Sequence, residues 1–168
     1  MASKTHSIDD VLNRGREVIQ AEADALNQLA LMLDGAFSRA CSTISQVRRQ
    51  LVVTGMGKSG HIARKVAATF AATGTPAIYI HPSEAGHGDL GMLGMGDVLL
   101  VFSNSGNTSE LRAVLTYARK KQIQIIGVAS RQNSLLMELA DIPLLLPRVP
   151  EACAVNVAPT TSTAMQLA

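Results

Sequence analysis

The chain is expected to fold as a three-layer, doubly wound α/β domain, a five-stranded parallel sheet between helices, and two observations predict it. Five short, nearly continuous apolar runs recur along its 168 residues, as strands buried on both faces require. Helical patterns separate them, and strands that alternate with helices pair in parallel through right-handed crossovers.

Ser7 caps a long N-terminal helix whose mainly apolar stripe is Val11, Leu12, Val18, Ile19, Leu26, Leu29 and Leu33. Gly35 is expected to break it, and a second helix runs from Ala36 to Arg49, so that residues 7–49 form N-terminal helices and 51–168 the α/β core. Leu51 to Thr54, short, β-branched and stopped by Gly55, is the first strand. Ala77 to Ile80, Val98 to Phe102, Ile123 to Ala129 and Ile142 to Leu146 supply the other four. The intervening helices are expected near His61 to Thr73, Glu84 to Leu90, Thr108 to Lys121 and Ser134 to Ala140. Thr160 to Thr163, after Pro159, reads as the cap of a further helix. No repeat, linker or low-complexity stretch divides the chain, so 1–168 reads as one domain.

Composition narrows the function. Hydrophobic residues make up 47% and charged residues 17%, richer in core than an ordinary soluble domain, and the surplus is expected to face partner copies in a homo-oligomer. A net charge of +2 and 3% aromatic residues fit no nucleic-acid binder, which neutralises phosphates and stacks bases. No apolar run approaches the roughly 20 residues that span a bilayer, and Met1 to His6 lacks a signal peptide's apolar segment, so a cytoplasmic protein is expected. Cys41 and Cys153, far apart and without metal spacing, agree with a reducing compartment.

In a doubly wound sheet, ligands bind beyond the carboxyl ends of the strands, where the strand order reverses. Polar motifs follow the strands here. After the third strand comes Ser103-Asn104-Ser105-Gly106-Asn107-Thr108, in which the hydroxyls of Ser103, Ser105 and Thr108 and a helix N-terminus form an anion cradle. The cradle carries no lysine, which favours a monophosphate over a nucleotide triphosphate with its metal ion. After the first strand, Gly55-Met56-Gly57-Lys58-Ser59-Gly60 turns tightly and offers a cation at Lys58 and a hydroxyl at Ser59. This string also matches G-x-G-x-x-G, but no acidic residue closes the second strand, and a P-loop fails because Val52 stands where its first glycine belongs. After the second strand, His81, Glu84, His87 and Asp89 are dense enough for chemistry or a metal, although their spacing matches no established site. Glu110 sits in the first turn after the cradle, where the helix dipole alone favours a carboxylate. Glu151, beyond the last strand, faces the same crevice.

Together these strings closely resemble the arabinose 5-phosphate isomerases: Gly55 to His61, Thr73-Gly74-Thr75-Pro76, His81-Pro82 through Glu84, His87 to Met92, Ser103 to Gly106, and Glu151-Ala152-Cys153 with Ala158-Pro159-Thr160. The resemblance implies a sugar isomerase domain that interconverts D-ribulose 5-phosphate and D-arabinose 5-phosphate through an enediolate, supplying 3-deoxy-D-manno-octulosonate and lipopolysaccharide synthesis. No cofactor is required. It implies Glu151 as the proton-shuttling base, Lys58, Glu110 and His87 in catalysis or substrate contact, Ser59, Ser103, Ser105, Gly106 and Thr108 on the phosphate, and Gly74 and Thr75 lining the crevice. His81 aligns with a metal-binding residue, the ion being optional or inhibitory, and relatives form tetramers. Family members continue past this point with a Ser-His-Pro segment and often a pair of CBS domains, so a C-terminally truncated chain of doubtful activity is expected. The alternatives are a phosphosugar-binding regulatory module, which needs the cradle but no base, and an isomerase of another sugar phosphate.

Overall fold

The computed structural model describes residues 7–155 and 157–168; residues 1–6, where a leader segment is not expected, lie outside them. Strands β1 (Leu51–Gly55), β2 (Ala77–Ile80), β3 (Val98–Phe102), β4 (Gln124–Ala129) and β5 (Ile142–Leu145) form one all-parallel sheet in the order β2-β1-β3-β4-β5. The order reverses between β1 and β3, whose carboxyl ends meet at the Gly55–Phe102 pair. That junction is the crevice of a doubly wound fold. Pro143, which cannot donate to a neighbour, is tolerated because β5 is an edge strand.

Side chains alternate across the sheet. Leu51, Val53, Leu100 and Phe102 point to one face and pack with Ala36, Ala40, Ala63, Ala67 and Met165. These come from α2 (Gly35–Ser45), α3 (Gly57–Ala72) and α7 (Thr161–Leu167). Val52, Leu99 and Val101 point to the other face and pack with Leu111, Val114, Leu115 and Leu136 of α5 (Leu111–Lys120) and α6 (Leu135–Leu139). A short α4 (Pro82–Ala85) and a 3-10 turn at Asp89–Met92 take the place of the single helix expected from Glu84 to Leu90. Among the described residues no helix is long and apolar enough to cross a membrane.

The ends of the helices correct several expectations. Ser7 does cap α1 (Ile8–Met32), in a reciprocal box with Asp10. Gly35 does not break that helix: the chain turns at Leu33, and Asp34 accepts from the Ala36 N–H at 2.8 Å, which makes Gly35 the first residue of α2. Much of the α1 stripe also faces outward, with Val11 62% and Ile19 68% exposed and only Ala25 fully buried. Helix α2 stops at Ser45, short of Arg49, because the Arg49 N–H donates to the Gly96 carbonyl and its guanidinium to Asp97 at 2.6 Å.

Asp97 is 4% exposed and also accepts from the Gly94 N–H at 2.8 Å, so its Oδ2 ties the turn before β3 to the end of α2. Removing it leaves the Gly94 N–H without its acceptor and the Arg49 guanidinium with the Met92 carbonyl alone. Asp97→Ala is expected to cost about 1–3 kcal/mol in urea unfolding without changing ligand affinity, since the pair lies at the amino end of the sheet, away from the crevice.

Candidate active site

Helix α3 begins at Gly57, four residues earlier than the sequence suggests. Glycine makes this start possible. Gly57 adopts φ +59°, and a Cβ on Gly60 would lie 2.7 Å from the Gly55 carbonyl oxygen, so the first helical turn presses directly on the end of β1. Lys58 and Ser59 therefore sit in the first turn of a 16-residue helix, and no side chain caps it, so its leading N–H groups and positive dipole end face the crevice. Tyr79 of β2 braces the same turn: its hydroxyl donates to the Gly55 carbonyl at 3.1 Å, and the Arg64 guanidinium lies 4.1 Å from its ring centre.

Across the switch point, the Ser103–Thr108 loop is folded on itself. Ser103 is 3% exposed, shares a hydrogen bond of 2.9 Å with the Thr108 hydroxyl, and its Oγ accepts from the Gly106 N–H. Asn107 Oδ1 accepts from the Leu135 N–H and the Gly106 carbonyl from the Leu136 N–H, anchoring the loop to α6. Helix α5 starts at Leu111, so Thr108 braces Ser103 instead of opening the helix. The amides of Thr108 and Ser109 precede the first residue of α5, at the end of a helix that favours an anion. Glu110 is exposed; the Ser109 hydroxyl, bonded to it at 2.7 Å, lowers its pKa, and His81 adds to that effect from across the loop.

Glu151 is the most elaborately held carboxylate. Its Oε2 accepts from the Thr160 N–H at 2.6 Å, the Ser162 N–H at 3.2 Å, and the hydroxyls of Thr160 at 3.1 Å and Thr161 at 3.0 Å. Burial pushes its pKa up, but the hydrogen bonds from Ser162, Thr160 and Thr161 outweigh it and hold the carboxyl below its ordinary value of 4.5. Glu151 is therefore ionised at neutral pH. The expectation that Thr160 to Thr163 cap their own helix is inverted: Thr160 makes no side-chain cap bond, and Glu151 supplies the oxygen that caps α7.

A cavity of about 660 Å³ opens between these elements, lined by Lys58, Ser59, Asn104, Arg131, Arg148 and Glu151 among others. Of the residues expected to act, it brings together Lys58, Ser59 and Glu151. Ser103, Ser105, Gly106 and Thr108 form the adjoining loop, which reaches the cavity through Asn104. His87 is exposed in the turn after α4, where its N–H donates to the Glu84 carbonyl. Gly74 and Thr75 are elsewhere. Helix α3 carries the chain back to the amino ends of the strands, and there the Thr75 N–H donates to Phe70 and the Leu51 N–H to Pro76, so within one copy neither residue lines the crevice. His81 Nδ1 accepts from the Ser83 N–H at 3.3 Å. Among the described residues no three His, Cys, Asp or Glu side chains are gathered to hold a metal ion. Arg131 and Arg148 went unread in the sequence, yet with Lys58 they set three cations against the single carboxylate of this lining.

A parallel α/β sheet whose switch point carries a hydroxyl loop, a helix N-terminus and a basic cavity with one ionised carboxylate defines a doubly wound α/β domain with a crevice suited to an anion. The chain belongs to the SIS domain family, whose profile matches residues 43–168. It is 44% identical over 158 residues to the arabinose 5-phosphate isomerase KdsD of Yersinia pestis, covering 94% of this chain and 48% of that protein. The corresponding KdsD of Francisella tularensis is 43% identical over 164 residues, with 96% and 50% covered. The chain thus spans about half the length of the curated relatives it matches. Among solved structures, an E. coli CFT073 protein, c3406, in complex with arabinose 5-phosphate superposes with a TM-score of 0.91 at 33% identity, covering 96% of this chain and 86% of that one.

Proposed function

We propose that this chain is the catalytic unit of an aldose–ketose isomerase that interconverts D-ribulose 5-phosphate and D-arabinose 5-phosphate. The observation that carries the reading is the meeting of Lys58, Ser59 and an ionised Glu151 in one cavity beside the Ser103–Thr108 loop. The loop and the N-terminus of α3 hold the phosphate; the cations of Lys58, Arg131 and Arg148 add to its attraction. Glu151 removes the proton beside the carbonyl and returns it to the neighbouring carbon, while Lys58 stabilises the negative charge that develops on the enediolate oxygen. The carbon proton passes to the base, where it can exchange with solvent before one is returned to the neighbouring carbon, and the sugar's overall oxidation state is unchanged, so the reaction needs no redox cofactor. Likeness to KdsD of Yersinia pestis and to the complex with arabinose 5-phosphate supports the pentose 5-phosphate as substrate, and with it a cytoplasmic supply of arabinose 5-phosphate for 3-deoxy-D-manno-octulosonate and lipopolysaccharide. The outward apolar face of α1 supports assembly into a homo-oligomer, for which the family resemblance suggests a tetramer.

The test is exchange. When the full-length protein is incubated with ribulose 5-phosphate in D₂O, deuterium is expected at C1 or C2 by proton NMR, together with arabinose 5-phosphate. Binding of the pentose phosphate with no exchange above background would instead identify a regulatory module that senses the phosphosugar.

A further inference from the structure

The reading of Glu151 as the base leaves open which of its oxygens takes the proton and what holds the carboxylate still. Four hydrogen bonds land on its Oε2, and the Ser162 hydroxyl also bonds the carboxylate. Of the four donors to Oε2, two are amides of the α7 N-terminus and two are the hydroxyls of Thr160 and Thr161. The Thr161 hydroxyl has a single proton and two acceptors in reach, Pro150 O at 2.9 Å and Glu151 Oε2 at 3.0 Å, so its bond to the carboxylate is shared. The Thr160 hydroxyl is committed. Its oxygen already accepts from the Ala152 N–H at 2.7 Å, which turns its proton toward Glu151, 3.1 Å away. Ala152 is itself fixed from α1, because the Arg14 guanidinium donates to its carbonyl. A relay therefore runs from the backbone of residue 152 through Thr160 to one oxygen of the carboxylate. Thr160 does not line the cavity, whereas Glu151 does.

We infer that Thr160 is a positioning residue: it reserves Oε2 for the cap of α7 and presents Oε1 to the substrate as the proton acceptor. This rests on the assignment of Glu151 as base made above. The other charged groups facing the carboxylate across the cavity are Lys58 from α3, Arg131 beyond β4 and Arg148 beyond β5, and none of them is altered when the Thr160 hydroxyl is removed. Loss of a hydrogen bond to an ionised group disfavours the ionised form. The base then titrates higher and wanders between orientations.

The experiment is the pH profile of kcat/KM for ribulose 5-phosphate in the full-length protein carrying Thr160→Val, Thr160→Ala, Thr160→Ser or Glu151→Gln. In the valine and alanine variants the acid limb is expected to move up by about one pH unit, with kcat reduced and KM unchanged. Thr160→Ser keeps the donor and is expected to restore both the limb and kcat. An inactive Glu151→Gln with an acid limb unmoved in both valine and alanine variants overturns the positioning role alone, leaving Thr160 a structural residue. A Glu151→Gln protein that keeps its turnover overturns the base assignment, and the role of Thr160 with it.

Discussion

Replacing Glu151 with glutamine slows isomerisation by about 10²–10⁴-fold while the pentose phosphate still binds, the loss usual when a positioned general base is removed. The substitution is sharp because it is nearly isosteric. The amide oxygen of glutamine can accept the Thr160 and Ser162 N–H bonds that Oε2 accepts now, so α7 keeps its cap and the cavity its shape. What disappears is the lone pair of an ionised group, with the negative charge that balanced Lys58, Arg131 and Arg148. Phosphate affinity is expected to hold or tighten as that charge goes. Measuring kcat by product formation and Kd by calorimetry on the same preparation separates chemistry from binding. A glutamine variant as active as the parent would move the base to another carboxylate, with Glu110, in the turn leading into α5, as the next to test.

Gly106→Ala is expected to destabilise the protein by about 2–5 kcal/mol and to weaken phosphosugar binding with it. The residue adopts φ +67°, where a side chain is strained, and a Cβ there would lie 2.1 Å from the Ser134 hydroxyl oxygen and 2.6 Å from its Cβ. Neither neighbour can retreat. Ser134 is 6% exposed, and the Leu136 N–H bonded to the Gly106 carbonyl pins the loop from the other side. The loop must therefore shift as a unit, carrying the bond between the Ser103 and Thr108 hydroxyls with it. Gly91→Ala is the control, because Gly91 has no atom within 4 Å of its would-be Cβ and no positive φ. Urea unfolding of both variants, followed by pentose-phosphate titration of the folded protein, checks the expectation; an alanine at 106 as stable as one at 91 would show that the loop is looser than its contacts imply.

The parts of this site that were legible in the sequence are those that short-range rules govern. Apolar runs located all five strands, and the placement of polar strings after strands put Lys58, Ser59, Ser103 and Glu151 at the carboxyl edge. Periodicity says nothing about strand order, so the reversal between β1 and β3 that joins the first and third strings appears only in the folded sheet. Glu151 and its partners Thr160 to Ser162 are separated by a stretch without periodicity, and no local rule pairs them. Gly35 looked like a terminator because glycine more often follows a helix than begins one, and Asp34 reversed that preference by capping the next helix. Gly74 and Thr75 were assigned by likeness alone, which carries no information about which end of a strand a loop occupies within one copy. Arg131 and Arg148 followed strands just as the recognised motifs did, but a single arginine in a loop usually extends into water, and only the cavity shows otherwise.

The phenol that braces the glycine turn gives the crevice an optical gauge. The chain contains no tryptophan and two tyrosines, so its emission under excitation at wavelengths that phenylalanine does not absorb comes from Tyr79 and Tyr117. Because the ring at 79 donates to the carbonyl that ends the first strand, any occupant that displaces that carbonyl changes the fluorescence of one of just two emitters, without a dye or a label.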